Sequence, residues 1–101
     1  MHLNDTSHVH RLIRRNCSKL EALSGMKLVT DLSNNFSQIQ FMNKLGYIII
    51  DYKRNAILSL SHKMTDVELK LAQDIMLYLD WLNTARMYTG KRYEKDNVMK
   101  M

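Results

Sequence analysis

The chain has no proline, three glycines, one cysteine and no long apolar run, and each scarcity removes a class of explanation. The absence of proline, with so few glycines, reads as a helix-dominated fold with one short β element. The glycines, Gly25, Gly46 and Gly90, each fall where a helical period ends, the place where a left-handed cap costs glycine least. One cysteine, Cys17, excludes an intrachain disulfide and gives no metal pattern; within an apolar-periodic stretch it reads as a small core residue and suits a reducing cytoplasm. No segment reaches the roughly 18 apolar residues of a membrane span. Residues 1–6 lack the apolar core of a signal peptide. The expectation is a soluble, cytoplasmic protein.

What is present is ordinary globular material. The 101 residues leave room for one core, and 46% hydrophobic against 25% charged residues argues against wholesale disorder. The formal charge of +5 fits a nucleic acid, an anionic membrane face or an acidic protein as partner.

Along the chain, Val9, Leu12, Ile13, Leu20 and Leu23 recur at helical spacing after Ser7, with Arg11, Arg14, Arg15 and Lys19 largely on the other side. Met26, Leu28, Val29 and Leu32 fit a second short helix. After the polar break Ser33-Asn34-Asn35, with Asn35 and Gln38 as an approximate capping box, the spacing of Phe36, Ile39, Met42 and Leu45 predicts a helix over 36–45. Residues 47–52 and 56–61 read as two strands joined by Lys53-Arg54-Asn55, with Asn55 suited to positive φ. Thr65-Asp66-Val67-Glu68 is a capping box opening a last helix that runs to about Tyr88.

Residues 26–45 therefore read as a helix–turn–helix and 46–61 as a wing. On the second helix, Ser37, Gln38, Gln40, Asn43 and Lys44 have the chemistry for base edges and phosphates, and Lys53 and Arg54 at the wing tip suit a minor groove or phosphates. The competing readings are a solvated helix face and charge that guards a hairpin tip. The last helix is apolar over more than one face. Val67, Leu71, Ile75, Leu79 and Leu82 share one side, which predicts a homodimer interface. His2, His8, His10 and His62 form no metal pair, and no motif supports catalysis, a metal, a cofactor or a small-molecule ligand.

The run Asp51-Tyr52-Lys53-Arg54-Asn55-Ala56-Ile57-Leu58-Ser59-Leu60-Ser61-His62-Lys63, with Leu45-Gly46-Tyr47-Ile48 before it, resembles the wing of MarR-type winged-helix regulators, over roughly residues 36–70. The resemblance implies that Asp51 orients Arg54 and that Arg54 meets DNA.

The sequence thus leads to a mainly α fold with a β-hairpin: a winged helix-turn-helix with a long C-terminal dimerisation helix over residues 1–90, and a charged, flexible tail over 91–101. The expected function is a dimeric transcriptional regulator binding double-stranded DNA, with no enzymatic activity. The alternative is a protein-interaction module of inhibitor or immunity type that binds a partner through its apolar last helix. A third reading makes 46–61 part of a larger sheet in an α+β domain, since a lone hairpin is marginal without support.

Overall fold

Ser7–Ser24 form helix α1, whose inward side carries Ile13, Asn16, Cys17 and Leu20. The computed structural model describes residues 7–89, so the loose start over 1–6, the Gly90 stop and the tail over 91–101 lie outside the described residues. Gly25, at φ 75°, ends α1 as its glycine chemistry suggests. Its N–H donates to the Glu21 carbonyl at 2.9 Å.

The chain then enters strand β1 (Lys27–Leu28) rather than a second helix. The Leu28 N–H donates to Glu21 Oε2 at 2.6 Å, which ties this strand to the end of α1. The break near Ser33 is a turn organised by Asp31, which accepts from the Ser33 N–H at 3.0 Å and from Asn34 Nδ2 at 2.8 Å. Leu32 and Phe36 anchor the connection in the core, and the His10 ring meets Phe36 edge-on at 5.9 Å.

Residues 36–45 are not a recognition helix. Gln38–Met42 is strand β2, followed by β3 (Tyr47–Asp51) and β4 (Ala56–Leu60). The stripe Phe36–Ile39–Met42–Leu45 competes with an alternation, Ile39 and Phe41 against Gln38, Gln40 and Met42, and the alternation prevails. It buries both Ile39 and Phe41 completely beside Ile48 and Ile50, whereas a helix would send Phe41 off the apolar stripe. Asn43 to Gly46, expected as the end of the helix, is the β2–β3 turn. Asn43 Oδ1 accepts from the Leu45 and Gly46 N–H groups at 2.8 and 2.9 Å, and the Asn43 N–H donates to the Gly46 carbonyl at 3.0 Å.

The result is a small α+β fold: a four-stranded antiparallel meander in the order β1-β2-β3-β4, with α1 and a long helix α2 (Asp66–Thr89) on one face. The hairpin over 46–61 is present, extended on one side into a larger sheet. The capping box also forms: the Glu68 N–H donates to Thr65 Oγ1 at 3.1 Å, and the Thr65 N–H to Glu68 Oε1 at 2.8 Å. From α2, Ala72, Ile75, Leu79 and Leu82 are fully buried against α1 and the sheet's inner residues.

Candidate interaction surface

Strand alternation fixes what the uncovered face of the sheet presents. Since Ile48 and Ile50 point to the helices, Tyr47, Ile49 and Asp51 point away from them. Register then places Met42, Tyr47 and Leu60 in one cross-strand row, Gln40, Ile49 and Leu58 in the next, and Gln38, Asp51 and Ala56 in the third. Two rows are thus mostly apolar and one is polar, with Leu58 and Leu60 each about half exposed.

The polar row is tightly bonded. Gln38 Nε2 donates to Asp51 Oδ2 at 2.9 Å, the Arg54 N–H to Asp51 Oδ1 at 3.1 Å and Arg54 Nη1 to Oδ2 at 2.8 Å. Gln40 Nε2 donates to Gln38 Oε1. The Gln38 amide leads in holding the Asp51 carboxyl down, to about 2; burial pushes the other way, and the N–H groups and charge of Arg54 add to the depression. The N–H of Asn55, at φ 51°, closes the turn onto the Tyr52 carbonyl at 3.1 Å.

Strand β4 is the last in the sheet, so its outer edge carries backbone groups with no strand beside them. Its sequence, Ala-Ile-Leu-Ser-Leu, holds no charge, proline or glycine. Its two ends are pinned: Gly46 approaches so closely that a Cβ there would stand 1.9 Å from the Leu60 carbonyl oxygen, and the Asp51–Arg54 network closes the other end. On the helix side, a groove of about 680 Å³ runs between the β3–β4 turn and α2, lined by Tyr52, Lys53, Asn55, Met76, Leu77 and Asp80. Burial, and then hydrogen bonding to the Asp80 carboxylate, push the Tyr52 hydroxyl above its ordinary range.

These positions redistribute the residues singled out from sequence. Gln38 and Gln40 lie on the sheet's outer face and bond within it, and Asn43 is used by its own turn. Ser37 is half-buried, and its carbonyl accepts from the Tyr52 N–H at 2.9 Å. Lys44, Lys53 and Arg54 are exposed at two turns at opposite ends of the sheet, with Arg54 paired to Asp51. Of the expected dimer face, Ile75, Leu79 and Leu82 are fully buried within the chain's own core, and Leu71 is half-buried; Val67 is exposed. The further apolar exposure on α2, outside that face, is Leu69, Leu77 and Trp81.

His62, for which the sequence names no partner, is half-buried with Nε2 3.0 Å from Glu68 Oε2. Burial raises the Glu68 carboxyl, but the Thr65 N–H and the hydrogen bond and charge of His62 outweigh it and leave it below the usual range. The capping box was the available signal: it fixes Glu68 at a helix start just beyond His62. Burial, with the Glu21 carboxylate nearby, pushes the Cys17 thiol up to about 12.

Among the described residues no cluster of His, Cys, Asp or Glu could hold a metal ion, and no helix is long and apolar enough to cross a membrane. Comparison with family models, curated proteins and solved structures returns no match.

Proposed function

We propose that the protein is a protein-interaction module that accepts an extended strand along β4. The observation that carries this reading is the state of that edge: five uncharged residues, solvent-exposed from Leu58 to Leu60, without the charges, bulges or short length by which edge strands are usually guarded. Main-chain pairing supplies affinity in such complexes, and side chains on alternate faces supply selectivity. Here an incoming strand meets Leu58 and Leu60 on one face and the α2 groove on the other. Helix α2 contributes a flank to this site through Met76 and Leu77, while its inner side is spent on the core.

The test is selection from a displayed library of random decapeptides. The expected winners alternate apolar residues and protect backbone amides within 56–60 from hydrogen exchange. Equal enrichment on wild type and on Leu58→Lys would refute strand addition at this edge.

A second reading, binding of duplex DNA, is favoured by one observation. Arg11, Arg14, Arg15 and Lys19 are all exposed on α1, opposite its buried side. Arg11, Arg15 and Lys19 follow one another at i, i+4 spacing, about 6 Å per step, a ridge suited to successive phosphates. A winged-helix regulator in the strict sense would need its specificity from elsewhere than 36–45. A gel shift against random duplex at two salt concentrations tests this reading: salt-sensitive binding lost on Arg11, Arg15 and Lys19→Gln supports it, and no binding at low salt removes it.

A further inference from the structure

Resting on the strand-accepting reading, we infer that the occupant of the β4 edge is a second copy of this chain, paired antiparallel about a two-fold axis near Leu58 to form one continuous eight-stranded sheet, twice the four of a single chain.

Self-complementarity is the first argument. Antiparallel pairing centred on Leu58 sets it opposite Leu58 of the second copy, Ala56 opposite Leu60, and Ile57 opposite Ser59. No charge meets a like charge along β4, because the strand has none. On the outer face the row Ile49–Leu58 meets its own image, so four apolar side chains run unbroken across the junction.

The helix side matches in dimension. Helix α2 packs over β3, so two copies of α2 would be separated by three strand spacings, about 14 Å. Direct helix contact needs about 8–10 Å. The remaining gap suits long apolar side chains projecting from both flanks. Leu69 and Met76 lie on one side of α2 at i, i+7 spacing with Leu77 beside them; Leu69 and Leu77 are exposed and Met76 is half-buried.

Closure is the third argument. A two-fold pairing consumes both β4 edges, and the remaining edge, β1, is two residues long with Lys27 exposed. Assembly therefore stops at two. Among other occupants, a strand chosen for negative charge would find no cation within β4 itself, whereas every copy of the chain supplies a strand of matching composition.

Sedimentation velocity on the full chain, combined with cross-linking, decides the point. Wild type should be dimeric at about 100 μM, and Leu58→Lys should weaken dimerisation about 30-fold or more while leaving circular dichroism unchanged. Should that variant fail to fold, Leu58→Cys keeps the test open: it should cross-link to its mate with a short bis-maleimide, buried Cys17 staying silent. A monomer at about 100 μM overturns self-pairing. So does a dimer that cross-links through Trp81→Cys and not through Leu58→Cys, which would place α2 at the interface. If the monomer still selects strands from the peptide library at β4, only the identity of the occupant fails; if it selects none, the strand-accepting reading falls as well.

Discussion

The two edges of the sheet are built to opposite specifications. At one, β1 is two residues long, its Lys27 faces solvent, and its Leu28 N–H is taken by Glu21 of α1; just past it, the Val29 N–H bonds the Gln40 carbonyl of β2 at 2.8 Å, and the Gln40 N–H bonds Thr30 Oγ1 at 2.8 Å. At the other, β4 has five residues, no charge, and an anchor at each end that holds it extended. The same sheet thus has one edge finished by its own chain and one left open. Edge protection is a local choice of residues, and where it is missing over a full strand the missing element is expected from outside.

The largest expected effect comes from breaking the anchor at the far end of β4. Gly46→Ala puts a Cβ into the Leu60 carbonyl and against the Ser61 Cβ, neither of which is a flexible side-chain end, and should destabilise the fold by about 3 kcal/mol or more in urea unfolding. Gly25→Ala is the control. It is strained by its φ of 75° but has nothing within 4 Å, so a loss of about 1 kcal/mol is expected.

Next is the anchor at the turn. Asp51→Asn removes the carboxylate that Gln38 and Arg54 share and should cost about 1–3 kcal/mol at neutral pH. Because the folded pKa lies below the unfolded one, the carboxylate stabilises above its ordinary range, near 3.8, and that contribution is lost as pH falls through about 2. The gap between wild type and variant in acid titrations should close over the same interval.

Much of this architecture is legible in the residues. The hairpin, the positive φ of Asn55, the capping box at Thr65 and both long helices follow from turn chemistry, caps and periodicity. The Asp51–Arg54 contact that the MarR-like resemblance implied is present as a 2.8 Å ion pair. What misleads is Phe36–Leu45, where apolar residues three apart satisfy a helix and alternate residues satisfy a strand. Only pairing with β3 across the Asn43–Gly46 turn, which the periodicity of 36–45 does not contain, decides between them. The over-apolar last helix was visible too, but periodicity alone could not tell which of its sides the core would take. Ile75, Leu79 and Leu82 go inward, and Leu69 and Leu77 are left exposed.

A smaller effect should follow at the loop leaving β4. Thr65→Ala removes the acceptor of the Glu68 N–H and should cost about 1 kcal/mol in thermal unfolding. Smallest of all is Lys27→Leu, which strips the charge from β1. Stability should change by less than about 0.5 kcal/mol. Stoichiometry in sedimentation should stay unchanged, because two residues are too few to template a strand. Growth of larger species would show that the charge, rather than the short length, guards that edge.

The contrast between the edges is measured most directly by hydrogen exchange at single-residue resolution, followed over a range of protein concentrations. The account predicts that alternate amides within residues 56–60, those turned away from β3, become protected as concentration rises. Amides of 27–30 should keep constant protection at every concentration. Outward amides of β4 that exchange freely even in the most concentrated sample would contradict it.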